Sequence, residues 1–427
     1  MAKADIRGIK NLFDMSKGYF LTTVINNAIP FLLLPILTRY LTPADYGSLS
    51  LFMLYFCISN ALIGVSLPTV ISKHFFEKNK DYVAKLVGNA IFFSAILTCG
   101  LTIFISISYC SIQSYLAIPL RWLLIIPLGS FAYTVFQIGL TICRNEHKVL
   151  QFSKHQIGNT ILNLAISLLL VCAFAWSWMG RATGMIASYV LSAVVSIIYM
   201  HNVGYLRFEW NKEVQKEIKN MMSALIPDAL QLALIFQVGT FFMQLYFTKD
   251  ILGLYSLGFQ IAFCIQLLID VANMSWAPFL FKQLAMGENV NKVYITRLCY
   301  ALMGIFALGA IVVIFATIPV LHLMTTPAYY DSFKFVPFFC LGYVFCGTHH
   351  VVMPILVKHS QQKFISFVSL SALILLIVLN ITLSKAFDYM GIAYAYCITF
   401  AYMGILLVCR AHFFFRFPFI KALIFWK

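Results

Sequence analysis

The sequence predicts an all-α integral membrane protein with about twelve transmembrane helices and with both termini in the cytoplasm. Of its 427 residues, 61% are hydrophobic and only 11% are charged, whereas a soluble domain is about 45–50% apolar. The apolar residues form successive runs of roughly 20, the length that a helix needs to cross the hydrocarbon core. Because these runs are too long and too continuously apolar for alternating barrel strands, we expect helices.

The predicted spans follow one another with short polar breaks between them. They are residues 16–38, 48–72, 87–109, 119–141, 157–179, 182–204, 223–247, 252–281, 295–321, 333–357, 364–386 and 389–411. The segment before the first span lacks a small-residue cleavage site after a short apolar core, so we expect it to be retained and cytoplasmic.

The basic residues predict the orientation of these spans. With the N-terminus in the cytoplasm, each outer connection holds one of the 30 Lys and Arg residues, and the others lie inside. The six outer residues are Arg39, Arg121, Arg181, Lys249, Lys334 and Lys385. Since cytoplasmic loops collect Lys and Arg, we attribute the formal charge of +15 to these loops and to contacts with anionic lipids, not to nucleic acid.

The longest internal polar stretch, residues 205–222, divides the chain into two six-helix halves, 1–208 and 209–427. Its Glu and Lys residues at i,i+3 and i,i+4 spacing predict a short surface helix. A weak internal repeat agrees with the division, because Gly184 and Tyr189 recur in the last span as Gly391 and Tyr396. Two like-oriented halves are typical of parallel-repeat transporters, whose substrate site lies between the halves.

Ionisable side chains inside predicted spans are costly in hydrocarbon and mark candidate ion or substrate paths. Asp228 and Asp270 fall at similar depth on adjacent antiparallel helices, and two close carboxylates would share a proton near neutral pH. Such a pair suits proton or sodium coupling, although each carboxylate could instead cap polar backbone or pair with a cation such as Lys17. His349 and His350 are further ion-coupling candidates, or else residues that hydrogen-bond to a neighbouring helix.

Two further sets of residues could line a substrate path. The uncharged set, suited to a hydrated cavity or to hydrogen bonding between helices, comprises Asn26, Asn27, Gln137, Gln237, Gln244, Gln260 and Gln266. The cations at span ends, suited to an anionic substrate or to topology and headgroup contacts, are Lys17, Arg39, Lys73, Arg121, Arg144 and Lys282. The hydropathy pattern places no Lys or Arg deep within a span.

The sequence offers no motif of a catalytic domain. Walker A, GxGxxG, HExxH and GxSxG patterns are absent, and the outer connections are too short to hold an enzyme domain. The eleven cysteines lack CxxC or Cys/His ligand spacing, so we expect neither disulfides nor a metal site. These observations predict a transporter without a cofactor.

Residues 19–52, YFLTTVINNAIPFLLLPILTRYLTPADYGSLSLF, resemble the signature of the polysaccharide transporter family, the Wzx-type O-antigen flippases of the multidrug/oligosaccharidyl-lipid/polysaccharide exporter superfamily. In that signature a proline-containing first helix leads into a basic residue, a small polar turn and a Tyr-Gly pair. Here these are Pro30 and Pro35, Arg39, residues 42–45 and Tyr46-Gly47. Residues 275–282, SWAPFLFK, are similar to the segment that closes helix eight in the family.

The resemblance implies a lipopolysaccharide-biosynthesis flippase of the bacterial inner membrane. It would move undecaprenyl-pyrophosphate-linked O-antigen or related glycan units to the outer leaflet by alternating access. The implied partners are the lipid-linked oligosaccharide, membrane lipids, a glycan polymerase and a chain-length regulator. Two alternatives stay open: an ion-coupled drug or small-molecule exporter, and a membrane enzyme of O-antigen assembly. Against the major facilitator superfamily, the loop after span two lacks the Gly-x-x-x-Asp-Arg pattern.

Overall fold

The computed structural model describes residues 33–64, 66–284 and 291–424. In these ranges all regular elements are helices, so the all-α class is confirmed. Ten helices are long and apolar enough to cross a membrane, and a bent helix pair makes an eleventh candidate. These eleven correspond to predicted spans two to twelve. The first predicted span lies largely outside the described residues, and the orientation of the termini stays a prediction.

The first of two compact units extends to Ala233. Its helices are α1 (Leu34–Tyr40), α2 (Pro43–Ile63), α3 (Leu67–Phe75), α4 (Lys80–Leu116), α5 (Leu120–Asn145), α6 (Val149–Leu168) and α7 (Ser177–Asn202). Helices α2 and α3 together form one candidate span, and α6 continues through a π-helical turn, Leu169–Ala173. Helix α8 (Lys212–Tyr246) begins in this unit.

The second unit begins at Leu234, within α8. It contains α9 (Lys249–Leu284), α10 (Lys292–Met324), a 3-10 helix (Pro327–Lys334), α11 (Val336–Lys358), α12 (Gln362–Phe387), α13 (Met390–Phe415) and the short α14 (Phe419–Ile424). Helices α4 and α10 begin where Asn79 and Asn291 accept hydrogen bonds from backbone amides, the usual role of asparagine at a helix N-terminus.

Each unit packs its helices in the same internal order. Helix α5 contacts α2, α4 and α7, and α11 contacts α9, α10 and α13, which occupy the same places in the second unit. The repeated glycines allow α6 and α7 in the first unit, and α12 and α13 in the second, to meet closely. A Cβ at Gly184 would overlap Ser167 of α6, and one at Gly391 would overlap the Leu383 carbonyl of α12. The sequence repeat therefore coincides with a repeated helix contact.

The repeated tyrosines also occupy matching places. The Tyr189 ring lies 5.0 Å from the ring of Tyr133 on α5, and the Tyr396 ring lies 5.8 Å from that of Tyr343 on α11. Edge-to-face aromatic pairs of this kind stabilise packing beyond the burial of area. The division into halves 1–208 and 209–427 stays a prediction. The two compact units show how the helices pack, and packing does not test where a duplicated segment begins or ends.

The predicted surface helix over residues 205–222 is wrong in its first part. Residues 205–211 form no helix, and α8 begins only at Lys212. The reason is that charged side chains of this stretch pair with α4. The Arg207 guanidinium lies 2.5 Å from Asp81, and the Glu209 carboxylate lies 3.1 Å from the Lys85 ammonium. We call residues 205–211 the strap.

The strap lies along one face of α4. Arg207 and Glu209 of the strap pair with Asp81 and Lys85, which are four residues apart on α4. Asn89, four residues further along α4, donates a hydrogen bond to the Glu209 carbonyl at 2.8 Å. Within the strap, Phe208 and Trp210 stay 69% and 60% exposed, as expected for aromatic anchors at a membrane interface. Beyond the strap, Val214, Ile218 and Met222 of α8 belong to the core of the first unit.

Helix α8 bends by 45° between Gln231 and Ala233, next to the boundary of the compact units. The strap and the start of α8 therefore belong to the first unit, and the two units join within a helix.

Gly88 permits the close approach of the strap, because a Cβ there would overlap the Arg207 carbonyl oxygen. We expect Gly88→Ala to lower the free energy of unfolding by about 1–3 kcal/mol, the usual cost of overpacking. Thermal unfolding of the purified protein measures the effect. Gly100→Ala on the same helix is the matched control, since a Cβ there meets nothing within 4 Å. Equal melting temperatures for the two variants would contradict this account.

Candidate functional site

The structure buries one arginine inside the first unit. Arg181 was predicted to lie in an outer connection, and this is wrong: it lies within α7 and is only 8% exposed. Its Nη1 donates to the Asn163 Oδ1 of α6 and to the Ser167 Oγ at 2.9 Å. Within the described ranges, no acidic side chain forms an ion pair with this guanidinium.

The guanidinium reaches deep into the span. Asn163 lies about ten residues before the end of its helix, or about 15 Å along the axis, and a hydrocarbon core is roughly 30 Å thick. Asn159, Asn163 and Ser167 recur every four residues and so share one face of α6. Asn159 accepts from the Ser192 Oγ of α7 at 3.0 Å. Arg181 therefore ends in a polar strip between two apolar helices, inside the first unit.

Aromatic side chains extend this polar strip. Tyr46 of α2 and Tyr189 of α7 both lie near the Arg181 guanidinium. The Tyr189 ring meets the Tyr133 ring, and a hydrogen bond joins Tyr133 to Gln137, one of the predicted cavity residues. Tyr133, Gln137 and Tyr189 are half-buried, so the group reaches the surface of the unit. We call these five residues the arginine cluster: Arg181, Tyr46, Tyr189, Tyr133 and Gln137.

A second polar group lies in the other unit, between α9 and α11. The Asp270 Oδ1 accepts a hydrogen bond from the Gln266 Nε2 at 2.8 Å, and His350 interacts electrostatically with the same carboxylate. The rings of His349 and His350 lie 5.1 Å apart, and the Nε2 of His349 is buried with no hydrogen-bond partner among the described residues. The structure thus brings together four of the predicted residues. We call them the aspartate cluster.

Backbone geometry favours polar contacts beside this cluster. Pro354 lacks the N–H that would bond to the His350 carbonyl one helical turn earlier. The next carbonyl, that of Val351, accepts a hydrogen bond from the Trp276 indole of α9 at 2.9 Å. A small cavity adjoins this contact and is lined in part by Asn273, Trp276 and His350. Helices α9 and α11 are therefore bridged at the level of the aspartate cluster.

The predicted pairing of Asp228 with Asp270 stays a prediction. Asp228 lies on α8 in the first unit and Asp270 lies in the second, and the side chain of Asp228 is outside the described part of the structure.

The remaining candidates are not members of either cluster as defined above, or lie outside the described residues. Gln237, Gln244 and Gln260 are half-buried on α8 and α9. Five predicted cations are exposed on their helices: Arg39, Lys73, Arg121, Arg144 and Lys282. Lys17, Asn26 and Asn27 lie outside the described residues. Among the residues that are described, no group of three or more His, Cys, Asp or Glu side chains could hold a metal ion.

Hydropathy concealed Arg181 because the turn before α7 is itself apolar. Because Phe174 and Trp176 are apolar, the predicted span five extends to residue 179. In the structure, that helix ends at Ala173 and α7 starts at Ser177. A signal for the buried arginine was nevertheless present. The four-residue spacing of Asn159, Asn163 and Ser167 marks a polar face on the preceding helix.

Comparison with the sequences of known proteins gives two related findings. A profile of the family described as polysaccharide biosynthesis protein matches residues 18–284. An uncharacterised membrane protein of Haemophilus influenzae is 22% identical over 288 residues, which cover 65% of this chain and 67% of that protein.

Solved structures with the same fold cover nearly the whole chain. An inward-facing multidrug resistance transporter of the MATE family, in the MOP superfamily, gives a TM-score of 0.70 at 13% identity and covers 93% of this chain and 96% of its own. The lipid II flippase MurJ, in an inward closed conformation, gives 0.69 at 14% identity and covers 96% of this chain and 91% of its own. At these identities the matches show a shared fold.

Proposed function

This chain belongs to the polysaccharide biosynthesis protein family, and from this premise we propose that it is a flippase for a lipid-linked glycan. The family resemblance predicted from residues 19–52 is thereby confirmed, and the chain is a multi-pass membrane protein. The proposed substrate is an undecaprenyl-pyrophosphate-linked O-antigen or related unit. The proposed direction is from the cytoplasmic to the outer leaflet of the bacterial inner membrane.

The observation that carries this proposal is the buried charge of Arg181. A buried guanidinium held by neutral partners between two apolar helices is costly, and an anionic substrate would offset that cost when it binds. Pyrophosphate suits the site because arginine presents a planar set of donors that binds phosphate oxygens in pairs. A neutral or cationic solute would leave the charge uncompensated, which argues against the drug-exporter alternative.

The neighbours of Arg181 suit the sugar that adjoins a pyrophosphate. Tyr133 and Tyr189 offer aromatic faces and phenolic hydroxyls, and Gln137 offers an amide. Binding sites of this kind combine apolar walls with a few hydrogen-bonding groups that fix orientation. The hydroxyl-rich head cannot cross hydrocarbon unaided, so we propose that it travels within the protein while the prenyl tail stays in lipid.

The aspartate cluster supplies a candidate for energy coupling. A carboxylate beside an imidazole can take up and release a proton, and buried ionisable groups in membrane spans often form proton relays. We propose that protonation at Asp270, with His350 beside it, biases the alternating-access equilibrium. Asp228 is kept as a second coupling candidate.

Deletion of the gene, followed by assignment of the lipid-linked glycan to one leaflet, tests the proposed function. We expect the complete glycan to accumulate on the cytoplasmic leaflet, where an impermeant sugar-modifying reagent cannot reach it in intact spheroplasts. Loss of the linked unit itself would indicate an enzyme of assembly. Normal display with a changed sensitivity to drugs would indicate an exporter.

A further inference from the structure

The turn between α1 and α2 is hydrogen-bonded to the start of α7. The Asp45 carboxylate caps α2, because its Oδ2 accepts from the Thr42 amide at 3.1 Å and from the Thr42 hydroxyl at 2.8 Å. Its other oxygen, Oδ1, accepts from the Ser177 hydroxyl at 2.5 Å. One carboxylate therefore joins two elements that are 132 residues apart in the chain.

Ser177 adopts a conformation that serine rarely takes. Its φ is +49°, and that of Ala175 is +51°, in the left-handed region where residues other than glycine are uncommon. Such conformations persist only where surrounding contacts hold them. The bond to Asp45 is one such contact, and Ser177 is also the first residue of α7.

Asp45, through Ser177, and its neighbour Tyr46 are both linked to Arg181. Ser177 precedes Arg181 by about one helical turn, so its position sets where α7 begins and where the guanidinium points. Tyr46, which follows Asp45 directly, is 6% exposed and lies near the same guanidinium. Residues 42–46 therefore meet the start of α7 through the Asp45–Ser177 hydrogen bond and place Tyr46 in the arginine cluster.

We propose that Asp45 is a positioning residue. Through Ser177 it fixes the first turn of α7 and holds the Arg181 guanidinium against Asn163 and Ser167, ready for a pyrophosphate. This inference rests on the proposed function of Arg181. It assigns a task to the polar turn that carries the family resemblance: the turn orients the cation that meets the substrate.

Binding of farnesyl pyrophosphate to the purified full-length protein tests the inference, with thermal unfolding measured in parallel. We expect Ser177→Gly to raise the Kd about tenfold, because Asp45 loses its partner on α7. The melting temperature should not fall, because glycine accepts a positive φ without strain. Farnesol, which lacks the pyrophosphate, should not compete.

Thr42→Ala is the matched control, because it removes the hydroxyl that donates to the other oxygen of the same carboxylate and leaves the bond to Ser177 in place. We expect it to lower the melting temperature through loss of the cap and to leave the Kd unchanged. Parallel losses of stability and affinity in both variants would mean that Asp45 is merely structural, and would overturn the inference.

A third variant separates the inference from the proposed function. If Arg181→Gln abolishes binding while Ser177→Gly binds like the natural protein, the positioning role fails and the Arg181 site stands. If Arg181→Gln binds as tightly as the natural protein, or the natural protein does not bind the probe, the proposed site itself fails.

Discussion

Replacing Arg181 with glutamine is expected to abolish most surface display of the glycan without loss of the protein from the membrane. The glutamine amide can still donate to Asn163, but the positive charge is gone. A hydrogen bond to a charged group contributes about 1.5–3 kcal/mol, which corresponds to about 10- to 100-fold in affinity. Removing an unpaired buried charge should not destabilise the fold and can stabilise it.

Complementation of a deletion strain measures this effect, with the glycan quantified at the cell surface and the protein in the membrane fraction. Lys154→Gln is the control, because Lys154 is an exposed cation on α6, the same helix as Asn163. Normal display by the Arg181 variant would remove the main support for a pyrophosphate site. Loss of display in both variants would point to net charge instead.

Neutralising the aspartate cluster is expected to impair transport by a different route. Asp270→Asn retains a group that can hydrogen-bond to Gln266 but cannot exchange a proton. One charge moved across a potential of 100 mV contributes about 2.3 kcal/mol, which is about 50-fold in an equilibrium constant. We therefore expect a fall of that order in glycan display, and a larger fall when Asp228→Asn is added.

The coupling role also predicts a change in pH dependence. Transport by the natural protein in reconstituted vesicles should respond to an imposed proton gradient, and transport by Asp270→Asn should not. Asp331→Asn is the control, since Asp331 is 68% exposed in a 3-10 helix and pairs with Lys334 at 2.9 Å. Normal display in the double Asp228/Asp270 variant would exclude carboxylate coupling at these positions.

The sequence was sufficient for the fold class and for the approximate limits of eleven spans. The reason is that the bilayer acts on each helix locally: it requires a minimum apolar length and internally satisfied backbone groups. Such limits can be read from one stretch of chain at a time. The aspartate cluster could also be predicted in part, because a carboxylate or histidine inside an apolar run is recognisable from the sequence whatever its neighbours are.

The strap and the arginine cluster could not be predicted in the same way. Residues 205–211 have the charges of a surface helix, and only the presence of α4 alongside, with Gly88 leaving room, makes the non-helical form preferable. A local sequence pattern does not show which distant residues pair or how strongly. The helix prediction failed there because ion pairs with α4 compete with the local ones.

The eleven described spans and the family were thus already contained in the sequence, because hydropathy and motif are properties of the chain itself. The tertiary structure alone decided that an arginine assigned to an outer connection lies buried between α6 and α7. It also showed that Asp45, in the family's polar turn, is hydrogen-bonded to Ser177 at the start of the same helix. A buried charge is stable only through the partners that surround it, and those partners come from α2, α6 and α7, which the fold alone brings together.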